Sequence, residues 1–285
     1  MSRPFFGRAA ELATLEASFA SARTQASQAV LVGGEPGVGK TRLLERFAER
    51  AAARGARVVW SRAWDGGGAP AYYPLGELLR GLRDTFGRDA FARLVGERAR
   101  EIAAVAPRLV DAPAEAVGLD RVAIFDAVAT VLAEANEGRD LVLVLDDLHA
   151  ADAPTLAALR YLCRSGGARP LLLGTLRTVD HAMPEEVRKA LSLLLREATM
   201  LTLSGLDETE VHAWLTALAV GGAPARARAL VRRTAGNPLL LEGLLRAASR
   251  DVGVLEGAAL PRTDALREAL TDRLAASGQT RPLLD

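Results

Sequence analysis

The sequence has one cysteine, almost no lysine, no long apolar run and almost no net charge, and each scarcity excludes something. A lone cysteine, Cys163, cannot form an intrachain disulfide or a thiolate metal cluster, and it predicts a buried structural thiol in a reducing compartment. With 36 basic residues against 35 acidic ones, a formal charge of +1 leaves no global field to draw the chain onto nucleic acid or an anionic membrane. No uninterrupted apolar run reaches the roughly 18 residues needed to span a bilayer, and Arg3 and Arg8 are not followed by an apolar signal region. Together these absences predict a cytoplasmic globular protein without a membrane partner. Its 285 residues, 49% hydrophobic and 25% charged, suffice for one large domain or two smaller ones.

Arginine supplies nearly all the positive charge, so the only lysines, Lys40 and Lys189, stand out. Lys40 lies in the run Gly34-Glu35-Pro36-Gly37-Val38-Gly39-Lys40-Thr41, which matches G-x-x-x-x-G-K-[ST]. The run follows the apolar segment Gln28 to Gly33 and precedes helical spacing at Leu43, Leu44, Phe47 and Ala51. That is strand, loop and helix in the order a phosphate-binding loop needs. Its glycines let backbone amides curl around phosphates, the helix N-terminus adds its dipole, Lys40 reaches the outer phosphates and the Thr41 hydroxyl can ligate magnesium. A guanidinium, with its wide planar fork, does not replace a compact ammonium in such a loop. Arg42, the next residue of the helix, is grouped with the loop as a nucleotide-binding candidate.

Further along, Arg57 to Trp60 reads as a strand, and Trp64 to Pro70 as a loop because its glycines and proline permit no regular ladder. Helical patterns run from Leu75 to Ala106. Pro107 to Leu119 is weakly patterned, and a helix spans about Arg121 to Ala135. The aliphatic run Leu141 to Leu145 predicts a strand buried on both faces of a parallel sheet. Asp152 with Pro154 predicts the start of a helix reaching Arg164, the aspartate accepting from unpaired amides. Pro170 to Thr175 and Met200 to Leu203 read as strands flanking a helix from Val187 to Arg196. This alternation predicts a doubly wound α/β sheet. Beyond Asp207 the strand pattern ceases, and Glu208 to Leu218, Ala225 to Ala235 and Leu239 to Ser249 predict a helical subdomain.

A phosphate loop needs a second acidic site for its metal. Asp146 ends the aliphatic strand where ligands of open α/β sheets gather, so it is the candidate magnesium partner. Asp147 follows directly and is placed to orient or activate an attacking water, which favours hydrolysis; a pair that merely caps a turn is the alternative. Arg177, after its own strand, can sense the terminal phosphate or be an ordinary solvated arginine. His149 is either a phosphate-linked switch or a polar loop residue, and His181 and His212 have no metal-ligand spacing with it.

These motifs resemble those of the signal-transduction ATPases with numerous domains, in particular the large ATP-binding regulators of the LuxR type. Phe6-Gly7-Arg8 with Glu11-Leu12 resembles the family's opening segment, whose backbone and arginine border adenine and phosphates. Leu141 to Asp147 continues into Leu148-His149-Ala150-Ala151-Asp152, with Ala150 where relatives usually carry tryptophan. Arg177 falls at the family's phosphate-sensing arginine, and Gly236-Asn237-Pro238 matches the motif whose proline lies against adenine. Leu260 to Leu284 resembles the approach to a winged-helix domain.

The resemblance implies a P-loop three-layer sandwich divided into an opening helix (1–28), an ATPase domain (29–205), a helical subdomain (206–258) and the start of a winged-helix segment (259–285) of a longer protein. It implies ATP or ADP with Mg2+ as ligands, catalytic roles for Asp147, Lys40 and Arg177, and nucleotide contacts from Arg8 and Pro238. It further implies a slowly hydrolysing switch inside a signal-responsive, transcriptional regulator, with self-association in the intact protein and DNA contact only through domains outside this chain. A phosphotransferase, a nucleotide-holding scaffold and a core attached to a cyclase or kinase remain as alternatives.

Overall fold

The computed structural model describes residues 5–22, 28–64, 68, 70–110, 120–165, 170–177, 183–218 and 224–250. The winged-helix expectation for 259–285, His181 and residues 111–119 lie outside the described residues. Two compact units divide the chain: one holds Arg8–Gly34 and Lys40–Thr202, the other Met1–Gly7, Glu35–Gly39 and Leu203–Asp285.

The larger unit runs α1 (Ala9–Ala22), β1 (Ala29–Gly34), α2 (Lys40–Ala53), β2 (Arg57–Arg62), α3 (Tyr73–Phe86), α4 (Arg88–Val95), α5 (Ala99–Val105), α6 (Arg121–Asn136), β3 (Leu141–Asp146), α7 (Ala153–Arg164), β4 (Leu171–Arg177), α8 (Glu185–Leu195) and β5 (Thr199–Leu203). The strands form a five-stranded sheet in the order β2-β3-β4-β1-β5, with parallel pairing of β2 to β3, β3 to β4 and β4 to β1. This is the α/β architecture expected from the alternating pattern, and the two chief aliphatic strands are buried throughout.

Side chains alternate across a strand, so each strand feeds two cores. Leu31, Leu141, Leu143, Leu145 and Leu172 enter one apolar cluster with residues of α3, α6, α7 and α8. Val30, Val32, Val142 and Val144 are equally buried but point away from that cluster, on the face served by α2 with Leu43, Leu44 and Phe47. Phe47 meets Phe19 of α1 edge to face at 5.9 Å between ring centroids. Asp152 caps α7 by accepting from the Thr155 amide at 2.8 Å, with Pro154 inside the first turn, as its sequence position predicts. Cys163 is only partly buried, and that burial pushes its thiol up to about 12, leaving it an inert packing residue. Among the described residues no helix is long and apolar enough to cross a membrane.

The second unit contains α9 (Glu208–Ala217), α10 (Pro224–Thr234) and α11 (Pro238–Arg250). Asp207 and Glu210 form a reciprocal capping box at α9, and Leu206, Val211, Leu215, Ala227, Leu230, Leu241 and Leu244 make a small separate core. Between α10 and α11 the chain turns sharply at Gly236, whose φ is +69° and whose carbonyl accepts from the Leu206 amide at 2.8 Å. A Cβ at Gly236 would lie 2.0 Å from the Leu206 carbonyl oxygen, a backbone atom with no rotamer to escape into. Gly236→Ala should therefore destabilise the protein by about 1–3 kcal/mol through strain at a left-handed position. Denaturant unfolding checks this, and an unchanged midpoint would show that the turn tolerates a side chain.

Candidate functional site

Sheet order builds the site. Because β4 lies between β1 and β3, residues at its carboxyl end stand between the end of β1 and the acidic end of β3. Arg177, the last residue of β4 rather than the first beyond it, is in register with Gly34, and Arg62 at the end of β2 is in register with Asp146.

Lys40, only 8% exposed, bends back so that Nζ donates to the Gly34 carbonyl at 2.9 Å, closing the loop from inside. Burial lowers the pKa of its ammonium, with Asp147 and Asp146 pulling it back up and Arg177 adding to the depression. A charged group held this way gains from an anion placed beside it. At the loop apex, Gly37 has φ +80°, and a Cβ there would come within 2.7 Å of Leu239. The apex is tethered within its own unit: Asn237 Nδ2 donates to the Pro36 carbonyl at 2.9 Å, and the Leu239 amide to the Gly37 carbonyl at 3.3 Å. Pro238, half-buried, opens α11 between these two contacts.

Asp146 is the most heavily engaged side chain. It is 2% exposed, and three elements donate to it. Thr41 Oγ1 of α2 lies 3.0 Å from Oδ1 and 3.2 Å from Oδ2, Thr175 Oγ1 of β4 donates to Oδ1 at 2.6 Å, and Arg62 Nη2 of β2 donates to Oδ2 at 2.7 Å. A hydroxyl and a carboxylate facing each other form an all-oxygen donor set. Mg2+ needs few protein ligands because it keeps waters and takes phosphate oxygens, so Thr41 and Asp146 fit that ion.

Asp147 occupies a left-handed conformation, φ +60° and ψ +43°, which aspartate tolerates better than most residues. Its amide donates to Thr175 Oγ1 at 2.9 Å, so one hydroxyl fixes both aspartates. Burial and the neighbouring Asp146 charge push the Asp147 carboxyl above the usual carboxylate range, against the pull of His149, Arg62 and Arg177.

Among the remaining candidates, Arg8 is 6% exposed and pairs with Glu11 at 3.0 Å, which accounts for the spacing of arginine and glutamate in the opening segment. The Arg42 guanidinium pairs with Glu45 along α2 at 3.0 Å. Arg177 is exposed and acts electrostatically on both Lys40 and Asp147. His149 is buried in the short 3-10 turn Leu148–Ala150 rather than set in a polar loop.

Sequence reasoning missed Thr175, Arg62 and the amide of Asn237. Thr175 had a signal, being the one hydroxyl in the otherwise apolar start of Leu171–Arg177. Thr175→Val keeps the shape but leaves the Asp147 amide without its acceptor and Asp146 short of a donor. It should cost about 1–3 kcal/mol of stability, and Thr175→Ser should recover most of it. Thermal unfolding of both variants decides, and a valine variant as stable as the parent would remove the hydroxyl from the network.

Comparisons with known proteins bear on the family and the fold. The family described as the AAA ATPase domain matches residues 4–173, more than half of the chain. No curated protein matches it. The signal transduction ATPase with numerous domains (STAND) protein with a tetratricopeptide repeat sensor from Pyrococcus horikoshii superposes with a TM-score of 0.58 at 18% identity, over 96% of this chain and 33% of that one. The Aeropyrum pernix ORC2 protein in its ADP form gives a TM-score of 0.52 at 16% identity, over 95% of this chain and 70% of that one. At such identities the likeness is one of fold, that of the P-loop NTPases, and the chain spans about a third of the STAND protein's length. With the phosphate loop, its lysine and the acidic strand end inside the matched region, the chain belongs to the AAA ATPase domain family.

Proposed function

We propose that this ATPase-class module is an ATP-binding, slowly hydrolysing switch within a signal-responsive regulator of the LuxR type. The observation that carries the reading is the closed arrangement of Lys40, Thr41, Asp146 and Asp147 at the carboxyl ends of β1 and β3. Backbone amides from Gly34 to Thr41 cradle the phosphates, and Lys40 moves its ammonium from the Gly34 carbonyl to the outer phosphates. Thr41 and Asp146 would hold Mg2+, which would neutralise charge on the phosphates. Asp147 takes a proton from the attacking water, and its raised carboxyl makes it a stronger base than an ordinary aspartate. Arg177 faces the charge that develops on the terminal phosphate.

The switching part of the proposal rests on the loop apex. Glu35–Gly39 belongs to the same compact unit as α9, α10 and α11, and its Pro36 and Gly37 carbonyls accept from Asn237 and Leu239. Phosphate contacts on the loop backbone therefore bear directly on the turn that carries Pro238. Arg8 and Pro238 are assigned to the nucleotide's periphery. Self-association and transcriptional output belong to the intact regulator, and DNA contact to domains outside this chain. The protein is assigned to the cytoplasm, where ATP and Mg2+ are plentiful.

Asp147→Asn should bind ATP as the parent does and lose hydrolysis by about a hundredfold or more, because amide and carboxylate are nearly isosteric but only the carboxylate accepts a proton. Asp146→Asn should instead weaken the magnesium dependence of binding. Phosphate release and equilibrium binding, measured side by side, test the assignment. An Asp147→Asn variant that turns over ATP at the parent rate would refute the water-activating role.

A further inference from the structure

Arg62 is absent from the reading above, yet it makes the shortest charged contact to Asp146. The parallel ladder sets the two residues level on adjacent strands, and the Ala63 amide donates to the Asp146 carbonyl at 2.9 Å, so the backbone beneath the pair is fixed. From there the guanidinium makes a two-pronged approach to one oxygen, Nη2 at 2.7 Å and Nε at 3.2 Å from Oδ2, and Nε also lies 4.0 Å from Asp147. Thr175 serves Oδ1 at 2.6 Å, while Oδ2 takes both prongs of the guanidinium beside the Thr41 hydroxyl at 3.2 Å, so Oδ2 is the oxygen on which a cation acts.

The two partners differ sharply in environment. Asp146 is 2% exposed, whereas the Arg62 side chain is 56% exposed and rises from β2, the edge strand. A buried carboxylate without a cation is costly, but a half-exposed arginine can leave its partner and be resolvated cheaply. One oxygen thus has a tethered, half-exposed cation beside it and, under the proposed function, a divalent cation to receive. Full occupancy by both would crowd like charges onto a single carboxylate.

We propose that Arg62 is an internal counter-ion: it holds Asp146 Oδ2 in the metal-free protein and yields that oxygen to the divalent cation when nucleotide binds. The inference rests on the assignment of Asp146 to the metal. Arg62 then sets the metal dependence of nucleotide binding without being needed for the loop to form, and the released guanidinium lies free at the mouth of the site beside Asp147.

The test is the affinity for the β,γ-imido analogue of ATP, measured by calorimetry with excess Mg2+ and again with EDTA. In the parent the ratio of the two affinities favours magnesium, and in Asp146→Asn it collapses toward one. In Arg62→Gln the ratio should rise by about two- to fivefold, the range set by a half-exposed charged pair. Melting temperatures supply a second readout: Arg62→Gln should melt below the parent in EDTA and together with it when saturated with magnesium and the analogue. An Arg62→Gln ratio equal to or below the parent's, or an equal loss of melting temperature in both conditions, reduces the pair to an ordinary salt bridge and overturns the inference. A parent that binds no analogue, or an Asp146→Asn variant that keeps the parent's ratio, overturns the metal assignment beneath it instead.

Discussion

A carboxylate removed from water has to be matched by donors, and the site is organised around that requirement at Asp146. Three donors reach it from three elements: Thr41 from α2, Thr175 from β4 and Arg62 from β2. Each depends on the sheet order, since β4 could not supply its hydroxyl unless it ran between β1 and β3, nor β2 its guanidinium unless it flanked β3. The fold and the chemistry are therefore one constraint. An arrangement that satisfies a buried aspartate also leaves a hydroxyl and a carboxylate facing each other, with Lys40 held nearby by the Gly34 carbonyl. Asp147 inherits its place from the same network, through the hydrogen bond its backbone N–H donates to the Thr175 hydroxyl.

Two of the left-handed backbone positions fall at the candidate site. Asp147 and Gly37 both have positive φ, one beside Asp146 and one at the loop apex. Glycine adopts this conformation freely, whereas at Asp147 surrounding contacts have to hold it. At Asp147 the contact is the Thr175 hydroxyl, and at Gly37 it is the Leu239 amide on the glycine's own carbonyl. The loop apex is thus held by protein groups before any phosphate arrives, which reduces the ordering cost of binding.

The α/β class, the phosphate loop and the acidic strand end were legible from local pattern because each is written in consecutive residues. The run Gly34 to Thr41 needs only its own spacing, and Asp152 announces the start of α7 because a cap acts within three residues. The missed residues share the opposite property. Arg62 and Thr175 act on Asp146 across strand pairings, and nothing local in Arg57–Arg62 foretells which strand will lie beside it. Of the two readings of His149, the polar-loop one gives way for the same reason, because tertiary packing covers a residue just after a strand end in a way its neighbours in sequence do not foretell. Asn237 belonged to a motif whose proline drew attention, while the hydrogen bond its side chain donates to the Pro36 carbonyl spans most of the chain.

The central claim is that the loop around Lys40 binds the phosphates of ATP, and calorimetric titration of the parent and of Lys40→Ala with MgATP tests it most directly. A charge-assisted contact to the outer phosphates is worth roughly 1.5–3 kcal/mol, so the variant should bind ATP about ten to a hundred times more weakly and lose less for ADP. Its fold should persist, since the Asn237 and Leu239 contacts hold the loop apex without the ammonium. Equal ATP affinity in a folded Lys40→Ala protein would contradict the account.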